Sequence, residues 1–213
     1  MRLTVHTFLT LDGVMQGPGG AEEDPTLGFT RGGWLVPYAD EVMGEIVESW
    51  FARAEAILLG RTTFTMMRDF WTQITDPADV VAGALNGLRK YLVSSTPEEP
   101  GWSPTTVLAG DPVAHIARLK EQPGRELQVH GSARLARTLH AAGLVDEYRL
   151  LVFPVTVGAG KRLFGEDAPP SGFTLVESRT TTTGAVYSAL TPTPFATGEV
   201  EAQDGREVMH LTS

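Results

Sequence analysis

The sequence predicts an α/β domain with a mixed, mostly parallel central sheet and helices on both faces. Up to about residue 142, short apolar segments alternate with segments of helical period, which is the pattern of parallel strands joined by crossover helices. From residue 147 onward the apolar segments have only the length of strands, and we expect them to join the sheet as antiparallel edge strands.

The first quarter of the chain contains a strand, a long loop and a helix. Residues 2–9 alternate as a strand does, and Leu11-Asp12-Gly13 ends it. Residues 17–33 are rich in glycine and proline, and a loop of this length is commonly a functional lid. Residues 38–53 have the period of a helix. The apolar side chains of its buried face are Val42, Met43, Ile46, Val47, Trp50 and Phe51.

The middle of the chain alternates strands with helices. We expect strands over residues 55–59, 91–93, 105–108 and 127–129. We expect helices over residues 62–70, 77–88, 111–121 and 132–142. Asp111 is a good N-cap, and Gly143 ends the last of these helices.

The C-terminal part contains strands only. Residues 147–155 form a long strand, and residues 173–176 and 185–190 are close enough to pair antiparallel. We therefore expect one domain over residues 1–190 and a C-terminal extension over residues 191–213. Residues 207–211 either add one more strand or are disordered.

Composition excludes several classes of function. The chain has 213 residues with 42% apolar side chains, enough for one domain with a core. Its net charge of −9 argues against nucleic-acid binding. We expect no membrane span, because no apolar run reaches the required length, and no signal peptide. Without cysteine, and with no zinc-type histidine spacing, we expect no metal site and a cytoplasmic location.

Three strand-to-helix junctions are candidate ligand sites, because ligands bind beyond the carboxyl ends of parallel strands. They are Gly60-Arg61-Thr62, Ser94-Ser95-Thr96 and His130-Gly131-Ser132. A helix N-terminus attracts anions, and Arg61 adds a fork of donors suited to phosphate. The serine hydroxyls can donate to phosphate, and Gly131 allows a pyrophosphate to approach the backbone.

Each junction also has a purely structural interpretation. The first could be a turn glycine, a surface arginine and an N-capping Thr62, and the serines could be turn formers. Gly131 could serve only a tight turn. Since three successive strands end in phosphate-compatible turns, we favour a phosphorylated ligand.

Five segments in order carry a family resemblance. They are Thr10-Leu11-Asp12-Gly13, Leu58-Leu59-Gly60-Arg61-Thr62-Thr63-Phe64, Lys90-Tyr91-Leu92-Val93-Ser94-Ser95, Gly131-Ser132-Ala133-Arg134-Leu135 with Leu144-Val145-Asp146-Glu147, and Phe153-Pro154-Val155-Thr156-Val157-Gly158-Ala159-Gly160. On these segments the chain resembles the dihydrofolate reductase-like superfamily. It is most similar to the C-terminal reductase domain of bifunctional riboflavin-biosynthesis deaminase-reductases.

The resemblance implies a three-layer fold and NADPH as hydride donor. Gly60, Arg61 and Thr62, with Ser94 and Ser95, would face the adenosine 2′-phosphate and nearby phosphates. Gly131, Ser132 and Ala133 would lie along the pyrophosphate, and residues 11–17 would form a mobile loop near the nicotinamide. The resemblance also implies a homodimer, for which the apolar C-terminal strands are plausible interface material.

Two carboxylates are candidate proton donors or substrate ligands. Trp34-x-x-Pro37 precedes Asp40 as in the dihydrofolate reductase segment that carries its substrate-binding carboxylate. Asp40 could equally be an ordinary acid of a first helical turn. Asp12 lies near the nicotinamide by position, and its alternative is a turn former before Gly13.

The resemblance therefore implies an NADPH-dependent reductase of the riboflavin-biosynthesis type, which transfers hydride to a nitrogen heterocycle or ribosylamine. Dihydrofolate reductase-like activity and a non-catalytic nucleotide-binding protein remain as alternatives. The family often has Gly-Gly where this chain has His130-Gly131 or Gly131-Ser132, and a side chain there could narrow the pyrophosphate groove. Residues 17–33 match no family segment, so the substrate small molecule cannot be inferred from them.

Overall fold

A central sheet of eight strands organises the molecule, as the computed structural model shows for residues 1–95 and 100–212. The strands are β1 (Arg2–Thr10), β2 (Ala54–Gly60), β3 (Arg89–Val93), β4 (Thr105–Leu108), β5 (Glu126–His130), β6 (Glu147–Phe153), β7 (Gly172–Thr180) and β8 (Val186–Thr193). Their order across the sheet is β4-β3-β2-β5-β1-β6-β8-β7. β8 is antiparallel to both β6 and β7, and every other pairing is parallel. The predicted mixed, mostly parallel sheet with antiparallel C-terminal edge strands is confirmed.

Helices cover both faces of this sheet. Within the described ranges they are α1 (Glu41–Arg53), α2 (Arg61–Trp71), α3 (Val80–Gly87), α4 (Pro112–Glu121) and α5 (Ala133–Ala141). The alternation along β2 separates the faces, because Ile57 packs with α1, α2 and α3 while Leu58 packs with α4 and α5. Each layer buries one apolar helix face against the sheet, which gives the expected three layers. No helix of the described chain is long and apolar enough to cross a membrane.

The start of α1 differs from the sequence prediction. The sequence predicts a helix from residue 38, but a short 3₁₀ helix occupies Val36–Tyr38 and α1 begins at Glu41. Asp40 sets this boundary, since its Oδ1 accepts a hydrogen bond of 2.8 Å from the Met43 amide. The side chain therefore acts as an N-cap, which requires an extended backbone at Asp40 and fixes the first helical residue after it.

A buried ion network ties the three central strands together. The Arg149 guanidinium on β6 donates two hydrogen bonds to Glu126 on β5, at 2.7 and 2.9 Å, and one of 2.6 Å to Glu147. All three side chains are almost fully buried. Burial by itself would raise the pKa of Glu126, but hydrogen bonds from Arg149 and Gln128 outweigh it and lower the pKa. The carboxylate is therefore ionised and paired inside the protein.

Two histidines lie stacked in the layer between the sheet and α1. The His6 and His130 rings are 4.9 Å apart, and the other face of His130 stacks on Phe51 at 4.8 Å. Burial lowers the pKa of His130 to about 3, and burial together with His130 lowers the pKa of His6 well below its usual value. Both rings are neutral in the folded chain.

We expect these neutral histidines to make stability fall with acidity. Below pH 6.5 the unfolded histidines bind protons and the folded ones do not, so stability is lost as pH falls through that value. Each ring contributes up to about 1.4 kcal/mol per pH unit. We expect the free energy of unfolding, measured by urea unfolding at several pH values between 7 and 5, to fall less steeply with decreasing pH in His130→Gln than in the wild type. The exposed His210→Gln is the control, and equal slopes for the three proteins would contradict the assignment.

A separate hairpin follows the main sheet. β9 (Thr197–Gln203) and β10 (Arg206–Thr212) pair antiparallel as a two-stranded sheet of their own. The sequence left open one extra strand at residues 207–211, and the structure has two strands in this region. The turn between them is Asp204-Gly205, with φ of 51° and 73°. Two residues at positive φ are typical of the tight turn that joins twisted strands.

Candidate active site

The fold places the three predicted junctions side by side at one edge of the sheet. β2 lies between β3 and β5 and is parallel to both, so the three strands end at the same edge. Gly60 ends β2, Ser94 follows β3 and Gly131 follows β5. This edge is where open parallel sheets bind ligands.

Ser132 joins the first junction to the third. Its hydroxyl accepts a hydrogen bond of 3.0 Å from the Gly60 amide, and its own amide donates one of 3.0 Å to Thr63 Oγ1. The polar groups of Ser132 therefore hold two loops together and are engaged within the protein. Thr63, which the sequence analysis did not select, completes this link.

The backbone at this link is left-handed at two successive residues. Gly131 has φ of 54° and Ser132 has φ of 55°. A Cβ at Gly131 would lie 3.2 Å from Thr63 Cγ2, a tight contact at a positive φ, so both space and conformation favour glycine there. The side chains of His130 and Ser132 are buried, and they do not narrow the groove at the surface.

The helices at these junctions differ from the others at their N-termini. Aspartates cap α1, α3 and α4, through Asp40, Asp79 and Asp111. Among the described residues, no side chain caps α2 or α5, and the first turn of neither contains an acidic residue. Their terminal amides form positively polarised sites of the kind that bind phosphate.

An arginine accompanies each of these N-termini. Arg61 is the first residue of α2, and Arg134 is the second residue of α5; both side chains are exposed. Gly60 is the residue before α2, so Thr62 lies inside its first turn and the alternative of an N-capping Thr62 is wrong. Sequence analysis missed Arg134, although its place directly after Gly131-Ser132-Ala133 is the signal that could have found it.

At the junction that follows β3, Ser95 is exposed to a ligand and Ser94 is not. Ser94 is buried, and its amide donates to the Leu108 carbonyl at 3.3 Å. Ser95 is exposed beside it. Thr96, the third residue of the predicted junction, lies outside the described residues.

Asp40 has both carboxylate oxygens engaged. Besides the cap on Met43, Oδ2 accepts hydrogen bonds from Thr182 Oγ1 at 2.6 Å and from the Thr183 amide at 3.1 Å. The Thr182 hydroxyl and these amides lower the pKa of Asp40 to about 2. The side chain is ionised at neutral pH and connects the start of α1 to the turn between β7 and β8, so the geometry matches the interpretation as a helix-terminal acid.

Both carboxylate oxygens of Asp12 also accept hydrogen bonds. Oδ1 accepts from Thr10 Oγ1 at 2.6 Å and Oδ2 from the Gly158 amide at 2.7 Å. Burial by itself would raise the pKa of Asp12, but these hydrogen bonds and one from the Val157 amide lower it. Asp12 thus clamps the turn after β1 to the loop after β6, and neither candidate carboxylate carries a proton at neutral pH.

The long loop over residues 17–33 is fastened to the same loop after β6. Lys161 Nζ lies 2.6 Å from Asp24 Oδ2, and an Arg31 nitrogen donates to the Val157 carbonyl at 2.6 Å. The Gln16 side chain accepts from the Lys161 amide and donates to the Asp24 carbonyl. Residues 11–17, which are predicted to lie near the nicotinamide, are therefore held from both sides.

Aromatic side chains form a cluster next to the start of α1, in which Phe153 and Trp34 are buried. The Phe153 ring lies 5.9 Å from Phe8, 5.7 Å from Trp34 and 6.2 Å from Tyr38. Phe8 and Tyr38 are only partly buried. Such a cluster can stack against a planar ring at the edge of the sheet. The described residues contain no group of three or more His, Asp or Glu side chains placed to hold a metal.

We expect Asp12→Asn to loosen the clamp between the two loops. The amide group would replace an acceptor oxygen with a donor, and the Gly158 amide would lose its charge-assisted partner. Hydrogen–deuterium exchange at Val157 and Gly158 should become about 10- to 100-fold faster. Asp111→Asn, which exchanges one good helix cap for another, should leave these two amides unchanged. Unaltered exchange in Asp12→Asn would show that the clamp is not fastening the loop.

Comparison with protein families gives one match over nearly the whole domain. The model of the RibD C-terminal domain matches residues 2–187. Among curated proteins, the uncharacterized protein YyaP of Bacillus subtilis (strain 168) is 27% identical over 191 residues, which cover 87% of this chain and 92% of YyaP.

Solved structures share the fold. A protein from Shewanella sp. PV-4 whose name assigns it to riboflavin biosynthesis superposes with a TM-score of 0.64 at 20% identity, covering 91% of this chain and 99% of that one. Dihydrofolate reductase from Enterococcus faecalis, complexed with NADP(H), superposes with a TM-score of 0.58 at 13% identity, covering 90% and 96%. At these identities the likeness confirms the predicted dihydrofolate reductase-like fold.

Proposed function

Because the chain belongs to the RibD C-terminal domain family, we propose that it is a free-standing, NADPH-dependent reductase of the riboflavin-biosynthesis type. It transfers hydride to a nitrogen heterocycle or a ribosylamine. The observation that carries the proposal is the pair of uncapped helix N-termini at neighbouring strand ends, each with an exposed arginine in its first turn. A dinucleotide with an additional 2′-phosphate has anionic groups for both termini.

We assign the two termini to different parts of the cofactor. Gly60, Arg61 and Thr62, with Ser94 and Ser95 beside them, hold the adenosine 2′-phosphate and its neighbours. Gly131, Ser132 and Ala133 lie along the pyrophosphate at the N-terminus of α5. Arg134, one residue further along α5, neutralises the same pyrophosphate.

The chemistry divides between cofactor and chain. Bound NADPH supplies the hydride. Asp12 holds the loop over residues 11–17, and Asp40 holds the start of α1, so both predicted catalytic carboxylates position the site. Because their pKa values are lowered, we assign the proton to water at the open edge of the sheet. Phe8 and Tyr38 give the substrate ring an apolar surface to stack on.

Cofactor titration followed by a turnover assay tests this proposal. Protein fluorescence should be quenched by NADPH at lower concentrations than by NADH, and a panel of nitrogen heterocycles should cause loss of the reduced-nicotinamide absorbance. Turnover of dihydrofolate alone would favour the dihydrofolate reductase alternative. NADPH binding without oxidation across the panel would favour a non-catalytic nucleotide-binding protein, and absence of NADPH binding would refute the proposal.

Arginine substitutions should separate the two phosphate positions. Arg61→Ala removes a charged partner of the 2′-phosphate, so NADPH affinity should fall about 10- to 100-fold while NADH affinity changes little. Arg134→Ala should lower the affinities for NADPH and NADH by similar factors, because both cofactors contain the pyrophosphate. Fluorescence titration measures the four dissociation constants. An unchanged preference for NADPH in Arg61→Ala would refute the assignment of Arg61.

We further propose that the chain forms a homodimer and acts in the cytoplasm. The register of β9 and β10 places Val200, Met209 and Leu211 on one face of the hairpin, with Glu199 and His210 on the other. The apolar face is uncovered in the single chain, where Leu211 is 88% and Met209 75% exposed. An isolated two-stranded hairpin is marginal in water, and a second copy covers this face. Absence of cysteine suits a reducing compartment.

Substitutions on the two faces of the hairpin should have different effects on assembly. Met209→Lys places an unpaired charge in the interface and should raise the dimer dissociation constant on the order of 100-fold. His210→Lys, one residue later on the opposite face, should leave assembly unchanged. Light scattering after size-exclusion chromatography over a concentration series measures both. Equal behaviour of the two variants would exclude the hairpin from the interface.

A further inference from the structure

A cavity of about 360 Å³ lies between α5 and the loops that fasten the active-site edge. Its walls are the loop at residues 27–29, the loop at residues 159–162, residues 165 and 166, Gln16 and Arg137. None of the residues assigned to the cofactor phosphates lines it, and Gln16 belongs to the loop predicted near the nicotinamide. The volume is within the range of small-molecule sites.

The side chains that line the cavity include more cations than acids, although Lys161 pairs with Asp24 and Arg162 lies near Asp12. Three cationic side chains line it, Arg137, Lys161 and Arg162, against one acidic side chain, Glu166. The chain as a whole has a net charge of −9. A concave site in which one sign of charge predominates attracts ligands of the opposite sign.

One donor nitrogen of the Arg137 side chain has no hydrogen-bond acceptor. Its Nε is buried and has no hydrogen-bond partner among the residues that the structure describes. Its guanidinium packs closely on the chain at Gly165, where a Cβ would lie 3.0 Å from Nη1. A buried donor without an acceptor costs free energy. Because Nε itself is buried, the other guanidinium nitrogens of Arg137, which lines the cavity, are the donors for an anion bound there.

The cavity also has apolar lining residues, one of which has a strained backbone. Leu27 has φ of 62°, a conformation that bulky residues rarely adopt, and its side chain is 90% exposed. Phe29 lines the wall beside it. Strain and exposure at one residue are typical of ligand-binding segments, where a partner compensates both.

We propose that this cavity is a second binding site, distinct from the cofactor groove, for a small ligand that carries a phosphate or carboxylate group on an apolar body. Arg137 and Arg162 bind the anionic group, and Leu27 covers the apolar body. This site adjoins the loop over residues 11–17, and ligand binding to it does not require the proposed reaction.

Occupancy of the site is coupled to the active-site loops. Lys161 pairs with Asp24, and Arg162 lies 3.8 Å from Asp12 while donating to the Gly158 carbonyl. An anion that recruits either cation competes with these contacts. Ligand binding therefore changes how tightly residues 11–17 are held next to the proposed nicotinamide position.

Calorimetric titration with two probes tests the site. Phenyl phosphate should bind the wild-type chain more tightly than inorganic phosphate, because only the former offers an apolar body. Arg137→Gln should weaken phenyl phosphate about 10- to 100-fold. Leu27→Gly should bring the affinity for phenyl phosphate close to that for inorganic phosphate. The exposed Arg118→Gln on α4 is the matched control and should bind as the wild type does.

A repeat of the titration with saturating NADPH distinguishes binding of phenyl phosphate in this cavity from binding in the cofactor groove. Undiminished binding of phenyl phosphate shows a separate site, and complete competition overturns the proposal by placing the probe in the cofactor groove. Absence of saturable binding, or equal weakening by Arg137→Gln and Arg118→Gln, also overturns it. Arg162→Gln provides a second variant should Arg137→Gln fail to fold by circular dichroism. Failure of NADPH to bind would refute the reductase, and the comparison of Arg137→Gln with Arg118→Gln would still test this site.

Discussion

The structure depends on one buried arginine that spans three strands. Arg149 on β6 reaches Glu126 on β5 by passing above β1, where the register places the small side chain of Thr4 between Gln128 and Glu147. Ionised groups in a core are tolerated only when every partner is present and well aligned, so the network permits a single register of the three strands. The same strands end at Thr10, His130 and Phe153, and their register therefore fixes the relative height of the three loops that follow them in the candidate site.

Much of the fold followed from the sequence because its determinants are local. Alternation of apolar strands with amphipathic helices gave the parallel sheet, and Asp111 capped α4 as expected. The bounds of the edge strands were harder to predict, since β7 is exposed along its length and lacks the apolar alternation of a half-buried strand. The C-terminal hairpin contained a local signal that was overlooked, because Asp-Gly between two polar-apolar alternating segments is typical of a tight turn.

The candidate site was predictable only where function coincides with a strand end. The three junctions could be located because parallel strands present their carboxyl ends together. The contacts of Ser132 with Gly60 and Thr63 could not, because they require two left-handed residues whose conformation no sequence pattern specifies. Distant charges such as Arg137 and Lys161 meet at one cavity through the packing of α5 against a loop from the other end of β6, which is a property of the whole fold.

The uncapped N-termini of α2 and α5 also have a consequence for the lifetime of the protein. The N-cap residues of α2 and α5 make no side-chain cap, so the ligand-free chain forgoes the stabilisation that α1, α3 and α4 receive from aspartates. A ligand that binds only the folded chain restores it by mass action, by about 2.7 kcal/mol at a concentration 100 times its Kd. Proteases in cells degrade the unfolded molecules of a protein. Abundance of the protein would then follow the supply of its own ligand, so that molecules are retained where they can be used and degraded where they cannot.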